Sequence, residues 1–311
     1  MGNDAALDLS RIFNPANRES VIKECLDIAA SRLDPYDSER LVSSWNLTRN
    51  LYTGQFPGYS ACNTEYHDFN HTCDVFGATI RMCDGALSQN IDLKPELQID
   101  LHIAAMLHDA GYIQEADDTT GTGAKYTKTH VMRSIQFVKK HRELFGLDQS
   151  RADRIGNLIA GTDLSVDFTT IPFTDETEVY AGKLLASADL LGQMADRTYL
   201  EKLLFLYYEF KEAGFPGYET EFDMLRKTLG FYEMTKKRLF GLLGDTTNLA
   251  YYHFASRYGV AKNLYIESIE RQIDYLSSIM DDNSVNFRKK LKRIDLENVS
   301  NSHKQIRHIP A

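Results

Sequence analysis

The chain reads as an all-α protein, and three observations predict it. Apolar residues recur at steps of three and four in several long stretches, no convincing alternation of a half-buried strand occurs, and prolines fall between the helical stretches. The first stretch runs from Val21 to Leu33. It is followed by Leu41 to Leu51, Ile99 to Leu107, Ser134 to Phe145 and Leu200 to Phe210. The segment from Asn248 to Met280 has one glycine and no proline, and it lines up Ile266, Ile269, Ile273, Leu276 and Met280 on one stripe. That pattern predicts the longest helix of the chain. Pro57, Pro95, Pro172 and Pro216 stand in the gaps, where a fixed φ and a missing N–H do least harm.

At 311 residues, with 43% hydrophobic and 25% charged, the chain can bury a core without disulfides. No linker rich in Pro, Gly or Ser and no internal repeat divides it, so a single all-α domain over 1–311 is expected, with a helical extension at 196–283 and a basic tail at 284–311. The tail, which contains RKKLKR, carries a net +5 of an overall −9, leaving −14 for the remainder. Such a body does not attract nucleic acid nonspecifically. The tail itself reads as a solvated helix end or loose terminus. No window approaches a membrane span, and MGNDAALDLS has neither the basic start nor the apolar centre of a signal peptide. Ala6 stands where a myristoylation signal wants Ser or Thr. Cys25, Cys62, Cys73 and Cys83 lack CxxC spacing and read as reduced thiols. A cytoplasmic location is the expectation.

Loop signals concentrate in QFPGYSACNTEYHD, YIQEADDTTGTGAKYTKTH and SVDFTTIPFTDETE, and each borders a candidate site residue. Where the first ends, in YHDFNH, His67 and His71 stand four positions apart, which on a helix brings two imidazoles to one face. Asp74, three positions on, is placed to orient the His71 ring. Alone, this spacing also describes an ordinary polar helix face. In AAMLHDAGY, His108 and Asp109 end an apolar helix, where adjacent ionisable groups are costly unless paired. In ASADLLGQMAD, another apolar helix carries Asp189 into its middle. Taken together, His71, His108, Asp109 and Asp189 can offset each other's burial by binding a divalent cation, and N/O donors suit Zn, Mn, Fe, Co or Mg.

The order H…HD…D on helices resembles the His-Asp (HD) superfamily of metal-dependent phosphohydrolases. YHDFNHTCDV looks like the Y-H-N-x-x-H-x-x-D-V signature of its cyclic-nucleotide phosphodiesterases, and AAMLHDAGY, LIAGTDLSVD and ASADLLGQ follow in the family's order. The resemblance spans roughly residues 60–195 and implies an HD-type helical bundle with that segment as its metal-binding core. It implies one or two divalent ions, with His71, His108, Asp109 and Asp189 as ligands of the first and Asp109 bridging to a second. His67 is implied as general acid, and His130 as lining the second-metal side. Tyr66, Thr162 and Asp163 are implied on the substrate side. The loop from Tyr112 to Thr129 is then expected to be a lid carrying Lys125 or Lys128 to the phosphate. Two departures stand out: the pattern's H-D-x-x-H ends here in Tyr112, and its asparagine after the first histidine is Asp68, a carboxylate expected to raise the His67 pKa. His102 and the run Tyr251, Tyr252, Phe254 and Tyr258 read as packing.

The function expected is hydrolysis of a phosphodiester of a nucleotide or similar small molecule, by attack of metal-bound hydroxide on phosphorus. Two rivals are a phosphomonoesterase such as a nucleotidase, which needs only the first metal, and a non-catalytic sensor that binds a nucleotide through the metal.

Overall fold

Helix propensity and helical apolar spacing are realised throughout. The structure, a computed structural model, describes residues 8–12, 17–282, 287–294 and 296. Its helices are α1 Leu9–Ile12, α2 Arg18–Ala30, α3 Pro35–Tyr52, α4 Phe69–Ser88, α5 Pro95–Leu107, α6 His130–His141 and α7 Gln149–Ala160. They continue with α8 Glu176–Ala195, α9 Tyr199–Glu212, α10 Glu221–Lys237, α11 Leu249–Tyr258, α12 Leu264–Asp281 and α13 Phe287–Lys290. Among the described residues there is no strand, only an isolated bridge between Tyr59 and Glu115. No helix among them is long and apolar enough to cross a membrane.

The bundle is built around α4. Every residue from His71 to Ala86 is buried, and α2, α5, α8 and α11 pack around it. Small residues make that possible. A Cβ on Gly85 would lie 1.9 Å from the Leu249 carbonyl oxygen, so only glycine lets α11 approach so closely. On α8, a Cβ on Gly192 would come within 3.0 Å of the Asp74 backbone, which fixes where α8 crosses α4. The residues three positions earlier on each helix are His71 and Asp189, and the crossing therefore sets them side by side.

Three expectations are corrected. The helix predicted over Asn248 to Met280 is two helices: Gly259, at φ +67°, ends α11 in the left-handed region, and Asn263 caps α12 by accepting from the Ile266 N–H. The longest described helices are α4 and α8, at 20 residues each. Helices of the 196–283 segment are no appendage, since α11 lies against α4 and α12 against α8. The start of the basic tail is also not loose. Arg288 Nε pairs with Glu221 Oε2 at 2.8 Å, the Arg293 N–H donates to Glu201, and Leu291 and Leu296 are buried. Residues 297–311 of the tail lie outside the described residues. All four cysteines are free thiols, three of them buried.

Candidate metal centre

Four separate elements deliver the central cluster. Asp68 caps α4, its Oδ1 accepting the His71 N–H at 2.9 Å, and this starts the helix so that His71 points into the bundle. His108 is the C-terminal cap of α5. Asp109 follows at φ −108°, ψ 10°, the sparsely populated bridge region. Asp189 comes from mid-α8. His71 Nε2 lies 3.2 Å from His108 Nε2, 3.1 Å from Asp109 Oδ2 and 3.5 Å from Asp189 Oδ1. His108 Nε2 lies 3.3 Å from Asp109 Oδ2 and 3.7 Å from Asp189 Oδ1. N and O donors around an ion at about 2.0–2.2 Å stand roughly 2.8–3.6 Å from one another, so these separations have the scale of a coordination sphere.

The chemistry of the donors fits a cation. The His108 Nδ1–H is committed to the Ala105 carbonyl at 2.9 Å, which leaves the Nε2 lone pair facing the cluster. Two ring nitrogens 3.2 Å apart, both aimed at carboxylates, need a positive charge between them. Asp109 Oδ2 is buried without a conventional hydrogen bond. Burial alone would lower the His108 pKa, but Asp109 and then Asp189 reverse this and push it up to about 9. The same negative field that would hold a proton there would hold a metal ion. The buried group His71, His108 and Asp109 can therefore bind one.

The other carboxylate oxygen of Asp109 faces His130, with Nε2 at 3.5 Å from Oδ1. The His130 Nδ1–H goes to the Thr127 carbonyl at 2.8 Å, and burial lowers its pKa, so it too presents a lone pair. Its position is locked by Gly111. A Cβ there would sit 2.0 Å from the His130 carbonyl oxygen, while the Gly111 N–H donates to Ser134 Oγ and its carbonyl accepts from Arg133 Nε.

His67 precedes α4 rather than lying on it, so the one-face helical argument does not place it. Its partner is Glu209 of α9, a residue the sequence reading missed. The His67 Nδ1–H donates to Glu209 Oε2 at 2.6 Å, while Oε1 accepts the N–H groups of Glu65 at 3.0 Å and Tyr66 at 2.7 Å. Burial lowers the His67 pKa, and Glu209 more than offsets it, so the net shift is upward. Asp68, expected to do this, is committed to the helix cap and to Asn70. Tyr112, where the pattern has histidine, is fully buried and stacks between the two rings, 4.3 Å from His67 and 4.5 Å from His130. No sequence signal marked Glu209, because it is 142 residues from His67 on a helix with no motif.

Several other expected residues are placed differently. Asp74 does not reach the His71 ring, because Arg18 donates to its Oδ1 at 2.7 Å and Lys202 lies at 3.9 Å from Oδ2. Tyr66 is buried, and its hydroxyl donates at 2.9 Å to Gln193, whose amide in turn reaches Asp189 at 3.4 Å. It thus positions a donor and does not face a ligand. Thr162 Oγ1 donates to the Ile159 carbonyl, and Asp163 Oδ1 accepts from Ser165, so both close the end of α7. Lys125 is held by Asp118 Oδ1 at 2.5 Å, and Lys128 by the Gly214 carbonyl at 3.1 Å. The loop carrying them is pinned, not hinged. Glu212 takes the Thr122 N–H and hydroxyl, Asn63 takes the Gly123 N–H, and Gln114 bonds the Asp118 and Thr120 carbonyls. His102 is a core histidine, which burial keeps neutral by lowering its pKa to about 3.

A family model described as Npun_R2479-like matches residues 116–240. That stretch includes His130, Asp189 and Glu209 and stops short of His67, His71, His108 and Asp109. No curated protein and no solved structure matches the chain.

Proposed function

We propose that this chain is a metal-dependent phosphohydrolase of the HD type that cleaves a phosphodiester of a nucleotide or similar small molecule. The observation that carries the reading is the convergence of His71 of α4, His108 and Asp109 at the end of α5, and Asp189 of α8 onto one buried point, with the His67–Glu209 pair beside it. When bound, divalent cations lower the pKa of water and absorb charge on phosphoryl oxygens. His71, His108, Asp109 and Asp189 would hold the first ion. Asp109 Oδ1 and His130 face the place for a second. His67, oriented by Glu209 and stacked on Tyr112, would carry the proton that the leaving alkoxide needs, and Glu209 would stabilise the imidazolium.

Metal analysis of the purified protein, followed by assays on bis(p-nitrophenyl) phosphate and p-nitrophenyl phosphate, tests this reading. A metal-dependent preference for the diester supports it. Preference for the monoester favours a nucleotidase-like enzyme using the first ion alone, and metal binding without turnover favours a sensor. His67→Ala should retain its metal; loss of one equivalent would instead make His67 a ligand of the second ion.

A further inference from the structure

Arg238 opens a π-helical turn, Arg238–Leu242, that follows α10, and such turns recur at functional sites because the extra residue re-aims one side chain. Here the turn closes with the Leu243 N–H donating to the Arg238 carbonyl at 2.9 Å, and it is anchored by Leu239, which is buried and whose carbonyl accepts from Thr247. With Leu239 committed to the core, Arg238 is turned back toward the end of α7, where Nη2 donates to the Gly161 carbonyl at 3.3 Å. Among the described residues that is the only hydrogen bond of its side chain, which forms no ion pair; its Nε is buried without a partner. The side chain is half-buried, so its guanidinium is partly desolvated yet reachable. Gly161 abuts α8 at the Gly182 carbonyl, seven residues before Asp189, a rise of about 10 Å along the helix. The guanidinium lies within electrostatic reach of both Asp163 and Asp189 but pairs with neither.

A partly desolvated cation with no carboxylate against it, within electrostatic reach of Asp189 of the candidate metal cluster, can still take an anion. A planar guanidinium fits phosphate oxygens in a bidentate fork. We infer that Arg238 binds a phosphoryl group of the substrate lying outward from the metal-held one, so that this chain selects substrates with a second phosphate or equivalent anion. The inference rests on the phosphohydrolase reading and names the class of substrate within it.

The probe is pyrophosphate, with inorganic phosphate for comparison, titrated into the metal-loaded full chain by calorimetry. Arg238→Met keeps the aliphatic stem, which guards the packing, and Arg238→Lys keeps the charge without the fork. Expected are unchanged metal content in both variants, pyrophosphate binding weakened about ten- to hundred-fold in Arg238→Met and less in Arg238→Lys, and little change for inorganic phosphate. Pyrophosphate affinity unchanged in Arg238→Met overturns the inference and leaves the phosphohydrolase reading intact, as does a loss that tracks lost metal. Absence of binding of either anion by the wild-type metal-loaded chain overturns both.

Discussion

Asp109 uses both carboxylate oxygens, Oδ2 toward His71 and His108 and Oδ1 toward His130, and no neutral side chain of its size can do that. Asp109→Ala should lose the metal and, by leaving buried imidazoles without their counter-charge, lower stability by about 3–5 kcal/mol, read as metal content and denaturant midpoint. His67 predicts a different phenotype. His67→Ala should keep its metal and lower turnover of an unactivated ester by about 10²–10⁴, while a nitrophenyl ester, whose leaving group needs little protonation, should largely recover. Equal losses on both esters would remove His67 from the acid role. Glu209→Gln should follow the same pattern more mildly, since Gln keeps an oxygen acceptor for the Glu65 and Tyr66 N–H groups but then turns an amide nitrogen, which cannot accept, toward the His67 Nδ1–H.

At the scale of elements, the site depends on how closely helices approach. Gly111 lets the turn Ala110–Tyr112 lie against the start of α6, and Gly85 lets α11 lie against α4. Gly111→Ala should push His130 away from Asp109 and Gly85→Ala should part α4 from α11, because in each case the added methyl meets backbone that has nowhere to go. Overpacking of this kind costs about 1–3 kcal/mol. Loss of activity should exceed loss of stability for Gly111→Ala and not for Gly85→Ala. Comparing kcat with melting temperature for the two variants checks this. Removing Thr119 to Ala124 should lower the melting temperature, since it deletes the anchors on Glu212 and Asn63; a deletion that left stability intact would show that these anchors do not hold the fold.

For the whole molecule, one buried carboxylate ties the outer helices to the central one. Asp84 of α4 accepts from Arg32 just beyond α2 and from His253 and Arg257 of α11, at 2.7–3.1 Å. Burial would raise its pKa, but the bonds from Arg257 and His253 hold it well below the usual carboxylate range. Because the folded value is the depressed one, the stability it contributes is present above the ordinary aspartate range near about 4 and is lost as pH falls from there toward the folded value. Asp84→Asn should therefore destabilise by about 3–5 kcal/mol at neutral pH, with the gap to wild type narrowing in acid melts. Chelation should act on the whole molecule too: removing a resident metal should lower the melting temperature by several degrees, and adding it back should restore it.

The helices and the donor set were legible in the sequence because each has a local signature. Apolar spacing marks α2, α3, α5 and α9, and ionisable residues inside apolar helices mark His108, Asp109 and Asp189. The shared burial cost and the order H…HD…D also joined His71, His108, Asp109 and Asp189 as candidate donors. Glu209, Gln193 and Arg238 were decided by tertiary structure, since each acts on a partner across a helix crossing or a π-turn and carries no local mark; Tyr112 stood out in sequence only as a departure, and its stacking between His67 and His130 was decided there too. The same reason explains the misplaced lysines. A flexible-looking Gly/Thr-rich loop gives no sequence sign of the distant side chains, Asn63 and Glu212, that fix it. Sequence determines what a residue can bind chemically, whereas which partner it meets is set by where the glycine-mediated close contacts let the helices come to rest.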